Sequence, residues 1–250
     1  MLLVHGVVRE SDAPAVGRVP PGRLQQPRAV VAGPLAAVVS DAPDGDLVGD
    51  DAVAHLDLLV ALVVTVPVLP LPFGTVAPDE DAVRAEVLEP SADELAQRLA
   101  AVADLVELRL DLDFDTDASV AAVSRDDPDI ARLAARARVP GASLADRMAV
   151  GEAVAARVAD LQAELAATWT QELSGVAEQS RELHVDDQVS RTAYLVRRDR
   201  LDDADATVAR LREAAAGSAS VEYVGPMPVY SFLDDVVVGS QPAPRSRWGW

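Results

Sequence analysis

Residues 105–115, LVELRLDLDFD, decide the fold that this sequence predicts. Apolar and charged residues alternate along the stretch, which is the two-residue period of a strand with one buried and one exposed face. The apolar positions are Val106, Leu108, Leu110, Leu112 and Phe114. Because this strand is the clearest element of the chain, the remaining elements are assigned outward from it.

Helices and further strands follow this strand. Asp127 and Pro128 are typical of a helix start, and this helix is expected to end near Arg138. A long helix is predicted from Ser143 onward because apolar residues recur every three or four positions. Two strands, a helix ending at Gly217 and a strand over 220–226 come next. From residue 104 onward the order is therefore βαββαβ, the order of ferredoxin-like domains.

The part before residue 104 predicts a different set of elements. Residues 2–8 form an apolar strand, and 28–41 form a hairpin or bent strand split at Gly33. A helix is predicted over 51–65, followed by an irregular turn and further helices. The inward face assigned to this helix consists of Val53, Leu56, Val60 and Val63.

The helices that close this first part also have start signals. Acidic residues 79–81 suit the first turn of a short helix. Ser91 and Glu94 match a capping box, in which each side chain binds the other residue's backbone N–H. The predicted fold is α+β with two domains: a mixed N-terminal domain over 1–103 and a ferredoxin-like C-terminal domain with a long helix over 104–238. A disordered tail is predicted over 239–250.

Composition excludes several classes of partner and site. The 250 residues carry a formal net charge of −19, which repels nucleic acid and anionic membrane surfaces. The chain has no cysteine, so disulfides and thiolate metal sites are excluded. The most membrane-like stretch is interrupted by Asp57 and three prolines. We therefore expect a soluble cytoplasmic protein that binds neither nucleic acid nor membrane.

An aspartate series at 111–117 resembles the start of a calcium loop. That loop needs glycine at its sixth position and glutamate at its twelfth, where this chain has Thr116 and Ala122. The favoured interpretation is the solvated face of a strand that runs into a loop.

Three histidines are the other candidates for chemistry. His5 lies in the first strand, His55 on a helix and His184 near a strand start, far apart in sequence. A hydrolase using His55 or His184 with nearby aspartates stays open, but no nucleophile motif accompanies them. Because His55 follows Asp51 by one helical turn, a structural imidazole is favoured. We predict no enzymatic activity, no catalytic residue, no metal site and no cofactor.

Two apolar, proline-rich segments remain unexplained: VPVLPLPFGT at 66–75 and GPMPVYSFLDD at 225–235. Proline blocks regular pairing and favours an extended backbone, so each segment is either a rigid corner or a rigid surface for a partner. We interpret the first as an architectural turn. Its prolines should keep it at a sheet edge, Phe73 should be buried, and Gly74 should permit a tight approach before Thr75.

These two segments, with the first strand LLVHGVV and with His55 ahead of the first segment, resemble the GvpF/GvpL family of gas vesicle accessory proteins. The resemblance covers nearly all of residues 1–235. One departure is Pro72, where the family often has arginine. The positions that match the family motifs, as structural or partner-binding residues, are Pro67, Leu69, Pro70, Phe73, Gly74, Thr75, Gly225, Pro226, Tyr230, Ser231 and Phe232.

The resemblance implies a non-enzymatic role in assembly and a fold of two α+β domains, the second ferredoxin-like. The implied partners are the small hydrophobic gas vesicle shell protein (GvpA type) and other gas vesicle accessory proteins. The implied location is cytoplasmic and gas vesicle associated. An acidic escort suits this role, because an unassembled subunit exposes apolar surface and strand edges. The alternative is a regulatory protein that binds a small ligand on a ferredoxin-like domain.

Overall fold

The computed structural model describes residues 1–24, 26–43, 45–183 and 189–233. His184, a candidate residue of the hydrolase alternative, and the predicted tail over 239–250 lie outside the described residues. The protein has a mixed α+β fold, as the sequence predicts, and contains two antiparallel sheets. Among the described residues, no helix is both long enough and apolar enough to cross a membrane.

The first sheet is antiparallel and is built around its first strand. Its strands lie in the order β2-β3-β1-β4, and β5 also pairs with β1. A bulge in β1 at His5 lets Val4 pair with Val39 and Gly6 with Val38. The strands are β1 (Leu2–Arg9), β2 (Arg28–Ala32), β3 (Leu35–Asp41), β4 (Leu69–Pro70) and β5 (Val76–Ala77).

Four helices accompany this sheet, and two of them pack on β1. They are α1 (Ala13–Val16), α2 (Gly49–Val63), α3 (Glu80–Ala82), which continues as a π-helical turn over Val83–Leu88, and α4 (Ala92–Ala101). The helices α2 and α4 contact β1. The strand is buried along nearly its whole length, so its continuous apolar sequence is what a two-sided burial requires.

The inward face predicted for α2 is right at Val63, which is buried, but wrong at Val53. Val53 is 60% exposed, whereas His55, Leu58, Leu59 and Leu62 are buried. The helix is apolar around most of its circumference, so hydrophobic spacing alone fits two different faces. The face that is buried also contains Asp51 and His55. Because these residues are polar, a search for apolar spacing does not identify this face as the buried one.

The capping box predicted at Ser91 is also wrong. Residues 89–91 form a turn of 3₁₀ helix that leads directly into α4, and the Ser91 side chain makes no capping hydrogen bond. The backbone of Ser91 is not extended, as that of a capping residue usually is, because the chain is already helical before it. The helix start predicted at residues 79–81 is confirmed for α3, because the Asp79 carboxylate accepts a hydrogen bond from the Ala82 N–H at 2.9 Å.

The second sheet has the strand order β7-β8-β6-β9. Its strands are β6 (Leu105–Phe114), β7 (Gln179–Leu183), β8 (Val189–Arg197) and β9 (Ala219–Met227). The helices between them are α5 (Thr116–Asp126), α6 (Pro128–Ala137), α7 (Leu144–Ser174) and α8 (Leu201–Ala215). The predicted order of strands and helices along the chain is confirmed, including the starts at Asp127 and Ser143.

Residues 105–114 form the strand β6, as predicted, but this strand does not have one fully exposed face. Glu107 and Asp111 on its charged face are 3% and 5% exposed. The Asp111 carboxylate accepts a hydrogen bond of 2.8 Å from Nε of Arg191, and Asp115 caps α5. Buried carboxylates require such partners, which the two-residue period does not reveal. The solvated-face interpretation of the aspartate series is therefore wrong at Asp111.

The chain divides into two compact units. The first comprises Met1–Leu108, Leu195–Asp199 and Val224–Trp250, of which residues 234–250 are not described. The second comprises Arg109–Tyr194 and Arg200–Tyr223. Within the second unit, α5, α6 and α7 pack around an apolar cluster of Val123, Ile130 and Val158. The domain division at residue 103 stays a prediction.

Candidate functional site

A buried pair of histidines lies at the centre of the first unit. Nδ1 of His5, on β1, is 2.9 Å from Nδ1 of His55, on α2. The two side chains are 0% and 3% exposed. The bulge at His5 in β1 changes the direction of this side chain relative to a regular strand, and so it accounts for a polar ring on an otherwise apolar strand.

Hydroxyl groups close both ends of the pair. Nε2 of His5 is 2.9 Å from Oγ of Ser40 on β3, and Nε2 of His55 is 3.1 Å from the Tyr230 hydroxyl. A neutral imidazole has one N–H and one acceptor nitrogen. The tautomer of one ring therefore sets the tautomer of the other, and each of the two consistent arrangements satisfies all four ring nitrogens.

Both imidazoles favour the neutral state. Burial, with a further contribution from the neighbouring His55, lowers the pKa of His5 to about 3. Burial lowers the pKa of His55 to about 4, although a hydrogen bond with the Leu71 backbone opposes the shift. Burial raises the pKa of Tyr230, and the charge of Glu107 raises it further. The site therefore holds its protons in place over the neutral pH range.

Phe73 lies against this pair but is not buried as predicted. Its ring meets the His55 ring edge-on, with centroids 5.5 Å apart, and it is 36% exposed. Gly74 has a φ of 90°, and Oγ1 of Thr75 donates to the Pro72 carbonyl at 2.7 Å. This tight turn leaves Phe73 on its outer side, while Leu71 occupies the core.

The other positions of the first motif surround that turn. Leu69 and Pro70 form the edge strand β4, so the predicted edge position is confirmed. Pro67 is half-buried at the end of α2 and Thr75 is buried. A Cβ at Gly6 would lie 2.8 Å from the Leu69 carbonyl oxygen, so only glycine fits where the motif crosses β1.

The closing motif is fixed by a buried carboxylate. Oε2 and Oε1 of Glu107 accept hydrogen bonds from the N–H and the hydroxyl of Ser231, both at 2.7 Å. Phe232 is 1% exposed. Gly225, which precedes Pro226, has a φ of 150°, and a Cβ there would lie 2.5 Å from Cδ2 of Leu108. The motif residues therefore hold Tyr230 at a defined position.

Comparison with known proteins explains why these two motifs occur together. The family model described as gas vesicle synthesis protein GvpL/GvpF matches residues 1–234. The chain belongs to the GvpL/GvpF family. It is 32% identical to gas vesicle protein F of Streptomyces sp. (strain CB03234) over 239 residues, which are 92% of this chain and 98% of that protein.

Two solved structures share the fold. The crystal structure of the gas vesicle protein GvpF from Anabaena sp. PCC7120 has a TM-score of 0.74 and 17% identity, covering 93% of this chain and 97% of that one. For GvpF from Microcystis aeruginosa the TM-score is 0.66 and the identity is 16%, covering 93% and 98%. At these identities the likeness shows the fold alone.

In this GvpL/GvpF family member, His55 is the residue that joins the two motifs. Its ring contacts Phe73 of the first motif, and its Nε2 forms a hydrogen bond with the Tyr230 hydroxyl of the second. The sequence marks His5 and His55 as candidates but does not place them together, and it gives no sign of Ser40 or Glu107. An isolated histidine within an apolar strand is a usable signal for His5, whereas Ser40 and Glu107 follow ordinary strand patterns.

The chemistry of the site is that of a fixed hydrogen-bond network. Asp51, the carboxylate nearest to His55 in sequence, accepts hydrogen bonds from the Val48 N–H and from Nε of Arg23. These bonds lower the pKa of Asp51. Within the part of the chain that the structure describes, no group of three or more His, Cys, Asp or Glu side chains is placed to hold a metal ion. The absence of enzymatic activity stays a prediction.

Proposed function

We propose that this protein is a non-enzymatic gas vesicle accessory protein that binds the small hydrophobic shell protein (GvpA type) and aids assembly or nucleation of the shell. Membership of the GvpL/GvpF family supports a gas vesicle-related accessory role. The observation that carries the finer proposal is Phe73, an exposed aromatic side chain at the tip of a family motif.

The surroundings of Phe73 suit a partner contact. Pro72 and Gly74 on either side of it are exposed, and both restrict or shape the backbone. The edge-on contact with His55 supports the Phe73 ring from the protein side. An aromatic anchor held on a rigid turn loses little conformational entropy on binding, and aromatic residues are enriched among interface residues with large binding energies.

The wider proposal follows the family. The elements over 105–227 occur in the order expected of a ferredoxin-like domain, and the strand order β7-β8-β6-β9 supports that assignment. We propose a location in the cytoplasm at the gas vesicle, with other gas vesicle accessory proteins as further partners. The net charge of −19 argues against nucleic acid and anionic membrane surfaces as partners.

A binding assay with two matched variants tests this proposal. Purified Phe73→Ala protein should lose capture of the shell protein, while its thermal unfolding shifts only slightly. Val31→Ala is the control, because Val31 is an exposed apolar side chain of the same unit, at 41% exposure. Unchanged capture by Phe73→Ala would reject Phe73 as the contact.

The assembly role itself needs a genetic test. A deletion strain should fail to form normal gas vesicles, and expression of the wild-type chain should restore them. A deletion strain that forms normal gas vesicles would contradict the accessory role, whichever residue makes the contact.

A further inference from the structure

An exposed apolar surface lies at the turn between α6 and α7. We call residues 136–148 the hairpin tip. Val139, Leu144 and Met148 are 58%, 71% and 56% exposed, and every residue from 143 to 149 is exposed. Leu144 and Met148 are four residues apart on α7, so they lie on one helix face. Two turns of helix therefore present apolar side chains to solvent.

The hairpin tip is also positively charged. It contains Arg136, Arg138 and Arg147 but only one acidic residue, Asp146, within a chain whose net charge is −19. The Asp146 carboxylate is engaged by Ser143, whose N–H and hydroxyl bond it at 2.9 and 2.7 Å. An apolar surface with a basic border is complementary to an apolar surface with an acidic border.

A groove of that second kind lies on the outer face of α2. We call it the α2 groove, a cavity of about 400 Å³ between α2 and residues that include Val19, Arg23 and Pro27. Its apolar lining includes Val53, Ala54 and Leu58, and its acidic lining consists of Asp50 and Asp57. Val53 is the residue whose burial the sequence predicts and the structure contradicts, so the outer face of α2 is apolar without covering the core.

Arg23, the arginine that lines the groove, is already paired with carboxylates. The Arg23 guanidinium lies 2.8 Å from Asp51 and 3.5 Å from Asp50. These two carboxylates and Asp57 outnumber the single arginine, so the groove keeps a negative charge. A cationic partner is therefore favoured over an anionic one.

We propose that the hairpin tip of one copy of this protein docks into the α2 groove of a second copy. The first turns of α7 are about 10 Å wide, and the groove has the volume of a typical binding pocket, roughly 300–1,000 Å³. Leu144 and Met148 would lie against Val53 and Leu58, with Arg147 near Asp57. This inference concerns self-association and does not rest on the proposed function.

The contact joins two different surfaces, so a pair keeps one unused groove on the copy that supplied the tip and one unused tip on the copy that supplied the groove. Such a heterologous contact continues into a ring or an open chain, unlike a two-fold dimer. This property gives a test in which a defect in the tip and a defect in the groove complement each other. A variant with a defective tip and a variant with a defective groove still have one intact tip and one intact groove between them.

The experiment measures mass against concentration by analytical ultracentrifugation on full-length chains. Wild type should form species larger than a dimer as concentration rises, and these should dissociate as salt increases. Met148→Asp in the tip and Asp57→Arg in the groove should each raise the dissociation constant roughly tenfold or more. Asp202→Arg, an exposed charge reversal on α8, is the control and should associate like wild type.

Mixing the two variants is the decisive step. An equal mixture of the Met148→Asp and Asp57→Arg chains should form a heterodimer that grows no further. A mixture that stays monomeric, or a wild type that is monomeric at every concentration, would overturn the proposal.

Discussion

Phe73 and Phe232 are the phenylalanines of the two family motifs, and the structure places them in opposite environments. Phe73 is 36% exposed, whereas Phe232 is 1% exposed. Both follow short runs of proline and apolar residues. Residue type and local sequence therefore do not decide their burial, which depends on what holds the backbone on either side.

The difference lies in the anchor of each segment. At the first motif a local turn through Gly74 and Thr75 is closed by a bond back to Pro72, so the anchor lies within the turn itself. At the second motif the anchor is Glu107, far away in sequence, which bonds Ser231 directly before Phe232. A distant anchor draws the segment into the core, whereas a local turn leaves its tip outside.

Phe232→Ala should have the largest effect on stability. Removing a fully buried phenylalanine leaves a cavity and costs about 3–5 kcal/mol of unfolding free energy. Denaturant unfolding of the variant measures that loss directly. A loss below about 1 kcal/mol would mean that Phe232 does not fill the core and would remove the contrast with Phe73.

Acidification should produce the next largest effect. Both histidines of the buried pair have a lower pKa in the folded state than the ordinary value of 6.5. As pH falls below 6.5 the unfolded chain takes up protons first, so stability is lost until the folded pKa values of about 4 and 3 are reached. Between pH 6.5 and about 5.5 the pair should lose about 2 kcal/mol.

Unfolding curves of wild type and His55→Gln over this pH range test the effect. The variant removes one titrating ring, so its stability should depend less steeply on pH. Asp51 does not obscure the result, because its pKa is lowered from 3.8 and its contribution is lost only at lower pH. An equal slope in both proteins would show that the pair does not control the acid response.

Much of the architecture could be predicted from the sequence, since strand and helix periods are local properties. The strand at 105–114, the hairpin at Gly33 and the start of the long helix at Ser143 all follow from patterns within a few residues. Two motifs were also enough to identify the family. These features need no knowledge of which residues meet in space.

The site could not be predicted in the same way because its contacts join distant residues. His5 and His55 are fifty positions apart, and Glu107 and Ser231 are separated by 124. A buried polar residue looks like an exposed one until its partner is known, so the sequence pattern assigns the charged face of β6 to solvent and Val53 of α2 to the core. The scarcity of large side chains in this chain favours a buried Phe73, but it carries no information on the turn that leaves the ring outside.

Gly225→Ala and Gly74→Ala compare the backbones of the two motifs. Both glycines have positive φ, at 150° and 90°. A Cβ at Gly225 would also meet Leu108 and the Glu107 carbonyl, whereas nothing lies within 4 Å at Gly74. We expect losses of about 1–3 kcal/mol at Gly225 and about 1–2 kcal/mol at Gly74, measured by denaturant unfolding. A larger loss at Gly74 would reverse the comparison.

Phe73→Ala should have the smallest effect on stability. The ring is partly solvated, so its removal leaves an open surface rather than a cavity, and the main loss is its edge-on contact with His55. Such aromatic contacts contribute roughly 0.5–1.5 kcal/mol, so we expect a loss of about 1 kcal/mol, well below that of Phe232→Ala. Unfolding of both variants under one set of conditions gives the difference. A loss of about 3 kcal/mol or more would show that Phe73 supports the fold from its exposed position, and impaired shell-protein binding by this variant would then follow from unfolding instead of from a lost contact.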